Sequence, residues 1–100
     1  MTRSKFKVTK IERTMSSTKA KNADGTYKLN EKSGYPEYIP CEMQTVILTP
    51  VYGNNDPNHE NSKFWDASPS GEIRLGVINK DAWKEFELDK EYYVDFTLAN

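Results

Sequence analysis

The chain has little of what most enzymes and secreted domains rely on. It holds one cysteine and one histidine, so Cys41 has no partner for an intramolecular disulfide, and Cys41 and His59 together fall short of a zinc ligand set. No apolar run approaches the roughly 18–20 residues of a membrane span. The opening Met1-Thr2-Arg3-Ser4-Lys5 leads into alternating residues and not into the apolar block of a signal peptide. The expectation is a cytoplasmic protein with no membrane association. The five glycines are scattered, and none is followed by Lys-Ser/Thr before a helix, which argues against a phosphate-cradling loop and nucleoside triphosphate hydrolysis.

Catalytic and metal signatures are equally scarce. His59 sits in a turn-rich loop between Asn58 and Glu60 with no Ser or Cys motif around it, so it lacks the partner a general base needs. The plainer reading of Cys41 is a partly buried structural thiol. Asp56, Asn58 and Glu60 alternate as calcium ligands do, but Pro57 intervenes and the glycine and terminal glutamate of an EF-hand are missing. The expectation is a protein that is not an enzyme, holds no metal and uses no cofactor.

What the chain does have is aromatic residues, 12% of the total against a lean apolar fraction of 36%. Each large ring removes on the order of 150–250 Å² from water. A chain of 100 residues therefore suits one domain, residues 1–100, with a small aromatic core. The net charge of −1 conceals an asymmetry. Residues 1–32 carry nine Lys/Arg against three Asp/Glu, net +6, while residues 33–100 carry five against twelve, net −7. Such a chain presents a basic face to an anionic partner, unless folding intermixes the two charge sets.

Periodicity organises the rest. Lys5–Arg13 alternates basic and apolar residues, but the apolar phase slips between Val8 and Ile11, which predicts a strand with a bulge near Thr9-Lys10. From Thr14 to about Pro40 the residues are those of turns and loops, a polar excursion from the core. Within it, Asp24-Gly25 suits a short hairpin pairing 19–22 with 26–29, and a mobile loop is the alternative. Tyr35-Pro36-Glu37-Tyr38-Ile39-Pro40 is too rich in proline for a central strand or a helix, so it is expected to run extended with Tyr35, Tyr38 and Ile39 partly exposed. A buried strand follows at about Met43–Tyr52. Glu60–Ser68, with Phe64 and Trp65, reads as a short helix or an irregular segment. Ile73, Leu75 and Val77 alternate inward along another strand, where Gly76 marks a bend or a close neighbour. Asn79 caps a helix expected over Lys80–Leu88, with Ala82, Trp83 and Phe86 on one stripe. The last strand, Glu91–Leu98, turns Tyr92, Val94, Phe96 and Leu98 inward.

This order predicts an α+β fold that is mostly β. Its form is a small curved antiparallel sheet or a partly open barrel of OB-like or SH3-like type, with one short C-terminal helix before the last strand.

A fold of this kind with no catalytic signature is a binding module. The leading ligand is single-stranded nucleic acid: Lys5, Lys7, Lys10 and Arg13 on the first strand supply phosphate contacts, and Tyr35 and Tyr38 supply stacking. The pI near 5.8 is low for such a role. The alternative is a protein-interaction or structural protein that uses Tyr35–Pro40 as its contact, with a host or phage protein or a second copy of the chain as partner.

The segments Thr45–Tyr52, Glu60–Ile73 (containing Phe64-Trp65-Asp66-Ala67-Ser68-Pro69-Ser70-Gly71-Glu72-Ile73) and Phe86–Thr97 (containing Glu91-Tyr92-Tyr93-Val94-Asp95-Phe96-Thr97) resemble a set of small uncharacterised proteins of tailed bacteriophages. The resemblance covers about the last 55 residues plus Lys5–Thr9, and 14–40 looks like an elaboration of it. It implies expression in the cytoplasm of an infected bacterium, and a role as a replication accessory, a virion component or an inhibitor of host defence. It implies no activity.

Overall fold

The computed structural model describes residues 2–100. The phase slip in the first strand is a β-bulge, and it divides the sheet's two faces. Strand β1 (Thr2–Lys19) pairs antiparallel with β2 (Tyr38–Pro50) from Phe6↔Pro50 to Lys19↔Tyr38, and the register shifts between Val8 and Lys10. Thr9 is the extra residue; its hydroxyl donates to the Ile47 carbonyl at 3.4 Å. Because cross-strand partners point to the same face, one inserted residue inverts the alternation that follows it. Phe6 and Val8 before the bulge therefore share a face with Ile11 and Arg13 after it, and Lys5 and Lys7 share the other with Lys10.

Two further strands complete the sheet. β3 (Ile73–Val77) pairs with β2 over Gln44–Leu48, and β4 (Glu91–Phe96) pairs with β1 over Thr2–Lys7. The order is β3-β2-β1-β4, antiparallel throughout, in one curved sheet that stays open because β3 and β4 lie at opposite edges. Of the two forms expected, a curved antiparallel sheet or a partly open barrel, the protein adopts the curved, unclosed sheet. Two short helices, α1 (Glu60–Trp65) and α2 (Lys80–Trp83), pack beside it. Asn79 caps α2 as the sequence implied, its side chain accepting from the Asp81 N–H at 3.1 Å.

The core is small and lies on one face. Phe6, Val8, Val46 and Leu48 are buried, and Ile11, Trp65, Ile73, Phe86, Tyr92 and Val94 pack against them. Period-two and helical spacing select Ile73, Phe86, Tyr92 and Val94 among them, whereas Leu75, expected inward by the same alternation, is 38% exposed because β3 is an edge strand with little packed over it. Gly76 has the close neighbour its place in a strand suggested: a Cβ there would meet the Met43 sulfur at 2.9 Å.

α1 meets the sheet through the Trp65 ring, packed on Phe6, and through one polar residue. Beyond the Phe6↔Pro50 pair β1 and β2 part, and of the next pair only the Val51 N–H still reaches the Lys5 carbonyl, at 3.1 Å. Asn61 fills the place that β2 leaves, and it is fully buried. Its Oδ1 accepts from the Lys5 N–H at 2.6 Å, while its Nδ2 donates to the carbonyls of Lys5 and Val51, both at 2.7 Å. The side-chain amide thus offers the strand the donor and acceptor that a neighbouring peptide group would.

The radius of gyration is 18.7 Å and the longest dimension 61 Å, against about 13 Å for the radius of a compact chain of this length. The excess comes from the β1–β2 pair, which continues beyond the ends of β3 and β4. Pairing with β4 stops at Lys7 and pairing with β3 stops at Gln44, so from Thr14↔Met43 to Lys19↔Tyr38 the two strands run without a third. Residues 20–37 form the tip. There the Ala20 N–H bonds the Glu37 carbonyl, the Glu37 N–H that of Lys28, and the Lys28 N–H that of Ala20, all at 2.8–2.9 Å.

Several expected boundaries move. The excursion narrows, because 14–19 and 38–40 belong to strands: at the outer end of a two-stranded ribbon Ser and Thr need no core, and Pro40 is tolerated on an edge. The 19–22/26–29 hairpin appears as the single bridge Lys21↔Tyr27 around the Asp24-Gly25 turn. The α2 helix ends at Trp83, earlier than Leu88. Phe96 and Leu98 are exposed: Phe96 shares the core face with Tyr92 and Val94 and meets the Phe64 ring at 6.0 Å, but it is the last residue of β4, and Leu98 lies beyond the strand. Among the described residues no helix is long and apolar enough to cross a membrane.

Candidate functional site

The residues singled out for phosphate contact separate into two groups. Lys5, Lys7 and Lys10 share the face opposite the core, as the bulge requires. Three of the basic residues on that face are already engaged. Arg3 holds Asp95 through two hydrogen bonds of 2.7 and 3.0 Å, which raises the guanidinium's pKa and lowers that of the carboxylate. Lys10 lies 2.7 Å from Glu12 and holds its carboxylate below the usual range by hydrogen bond and charge. Lys5 is 3.9 Å from Glu91 and 5.2 Å from the Tyr93 ring centroid. Among the described residues Lys7 has no ion-pair partner. The face is basic but substantially neutralised.

Arg13 lies on the core face and not with the lysines. Its guanidinium stacks 4.5 Å from the Trp83 ring centroid and its Nε donates to Gln44 Oε1 at 3.3 Å. Tyr35 and Tyr38 are on the arm, 74% and 60% exposed. Tyr38 pairs with Lys19, and at about 3.3 Å per residue it stands ~36–40 Å along β1 from Lys7. The structure therefore does not bring the lysines and tyrosines into one site.

The arm is the most exposed apolar feature. One of its faces pairs Thr14 with Met43, Ser16 with Cys41 and Thr18 with Ile39, and carries no charge. The other carries Met15, 68% exposed, beside Glu42, Pro40 and Tyr38. At the tip the charges are internally arranged: Lys28 meets Glu37 at 3.7 Å, the Lys19 ammonium lies 4.7 Å from the Tyr27 ring centroid, and Asp24 accepts from the Thr26 hydroxyl, which lowers its pKa.

The remaining titratable candidates have structural duties. His59 caps α1, its Nδ1 accepting from the Asn61 N–H at 3.0 Å. Asp56 accepts from the Asn58 N–H, and Glu60 accepts from the Tyr93 hydroxyl at 3.1 Å. Among the described residues no group of three His, Cys, Asp or Glu side chains is arranged to hold a metal ion. Sequence reasoning missed Lys80, Lys84 and Trp83 as neighbours of Arg13. Lys80 and Lys84 at i, i+4 beside an aromatic were visible as a pattern, but their meeting with β1 was not.

Compared with known protein families, curated proteins and solved structures, the chain matches none of them.

Proposed function

We propose that the protein is a non-catalytic interaction module that grips a partner protein with its β-ribbon arm. The observation that carries this reading is the arm itself: a two-stranded ribbon with an uncharged face and exposed Met15, Tyr35, Tyr38 and Ile39. An isolated ribbon of this kind is marginal in water. Exposed apolar surface of this extent marks contact sites, and tyrosine and methionine are the types that enrich interface centres. The likeness of the C-terminal segments to tailed-phage proteins supports a host bacterial cytoplasm as the setting, and a virion component or an inhibitor of host defence as the role. Affinity capture from phage-infected cells with the wild type and with Tyr35→Ser/Tyr38→Ser/Ile39→Ser tests it. The variant keeps the fold and loses the partner; a partner retained in full by the variant counts against the arm.

Single-stranded nucleic acid is the second reading. It is favoured by the bulge, which gathers Lys5, Lys7 and Lys10 on one face, and by Lys7 having no ion pair among the described residues. A labelled oligonucleotide titrated at low and raised salt is expected to bind in a salt-sensitive way that Lys5→Glu/Lys7→Glu abolishes. Equal binding by wild type and variant rules out that face.

A further inference from the structure

An open cleft of about 570 Å³ lies at the root of the arm, between the core face of the sheet and α2. One of its cations, Arg13, is set in place by the fold. Gln44, 3% exposed, accepts from Arg13 Nε, and the Trp83 ring beneath the guanidinium is itself fixed by its Nε1–H donating to the Val77 carbonyl at 2.7 Å. The terminal nitrogens of Arg13 make no hydrogen bond to the described residues and remain available to the cleft. Lys80, 5.7 Å from the same ring centroid, and Lys84 line the cleft with Phe86. No carboxylate lines it among the described residues, and none of its three cations is in an ion pair. This distinguishes it from the opposite face, where Arg3, Lys5 and Lys10 all have acidic partners.

Three unpaired positive charges lining one cleft repel each other, and an anion between them relieves that repulsion. A guanidinium already oriented by stacking and by a buried amide presents its outer N–H fork to a phosphate at little entropic cost. The Arg13–Trp83 stack and Phe86 add planar surface, against which a nucleobase packs as it does on aromatic and guanidinium planes generally. The volume lies within the roughly 300–1,000 Å³ that holds small ligands. We propose that this cleft binds a nucleoside phosphate, with the phosphate among Arg13, Lys80 and Lys84 and the base on the aromatic wall. The proposal is independent of the arm's partner, and it places nucleotide recognition on the face opposite Lys5, Lys7 and Lys10. The nucleotide is either free or one unit of a single strand.

The test is titration of the full chain at low salt, followed by the Trp83 indole N–H resonance, with four probes: a nucleoside monophosphate, a ten-residue single-stranded oligonucleotide, the unphosphorylated nucleoside and inorganic phosphate. Saturable shifts with the monophosphate, or with the oligonucleotide alone, are expected, the two results separating a free nucleotide from a strand. The exposed substitutions Lys80→Glu/Lys84→Glu weaken binding by roughly tenfold or more, while Lys5→Glu/Lys7→Glu leaves the indole shift unchanged. Three results overturn the proposal: no shift with either nucleotide probe, an affinity indifferent to the Lys80/Lys84 substitutions, or inorganic phosphate binding as tightly as the nucleotides.

Discussion

Asn61→Ala is expected to lower the unfolding free energy by about 2–5 kcal/mol, because it leaves three partly buried backbone groups without their partner at up to about 1–3 kcal/mol each, partly offset by relaxation and water entry. The groups are the Lys5 N–H, the Lys5 carbonyl and the Val51 carbonyl, of which only the Lys5 carbonyl keeps a second bond, from the Val51 N–H at 3.1 Å. A loss of this size is a large share of the roughly 5–15 kcal/mol that holds a domain folded. Urea denaturation followed by circular dichroism reads it directly, with Asn58→Ala as the control: Asn58 is exposed, and its substitution is expected to change stability by no more than about 0.5 kcal/mol. Asn61→Asp sharpens the test. It keeps the shape and the acceptor for the Lys5 N–H but turns a carboxylate oxygen toward two carbonyls, so at neutral pH it destabilises at least as much as alanine. Protonation restores a donor, so lowering the pH narrows its gap to the wild type. A mild effect of both variants would show that α1 is held by Phe64 and Trp65 packing and not by the amide.

Asn61 also shows where sequence reasoning stops. The sheet's core strands were legible because alternation assigns residues to faces: Ile73, Leu75 and Val77 share the core face, although Leu75 stays exposed there, and the slip between Val8 and Ile11 betrays the bulge at Thr9. A polar residue that substitutes for a strand has no such trace. Asn61 sits among Glu60, Ser62 and Lys63 and looks like surface. The arm was misjudged for the opposite reason. Its strands bury little, so Thr14–Lys19 shows turn-like composition while its backbone is fully paired with Tyr38–Met43. Hydrogen bonding there is carried by the main chain, to which composition is nearly blind. The candidate site was legible only in part. The lysine face follows from alternation once the bulge is allowed for, yet the same bulge sends Arg13 to the other face, where it meets Trp83, about 70 residues on. Tyr35 and Tyr38 were expected to be partly exposed and are more exposed than that, but their distance from Lys7 depends on how far β1 and β2 run together.

Replacing residues 14–43 with an Asn-Gly turn that joins Arg13 to its cross-strand partner Gln44 is expected to leave a folded body and to abolish capture of the arm's partner. The excision removes one member of the buried apolar set, Ala20, and leaves Phe6, Val8, Val46 and Leu48 in place with both of their neighbouring strands. Shortening a connection lowers its closure cost by about 0.6 kcal/mol per halving, and a two-stranded ribbon contributes little stability by itself, so the unfolding free energy stays level or rises slightly. The shape changes far more. Scattering from the intact protein should return the radius of gyration of 18.7 Å, and the body alone about 11–12 Å, the value for a compact chain of its length. Because Arg13, Gln44, Lys80, Trp83 and Lys84 survive the excision, the cleft at the arm's root should still bind its nucleotide when the partner protein is lost. A body that fails to fold would show that the arm is part of the core's stability; a body that folds and still captures the partner would move the contact off the arm and onto the sheet.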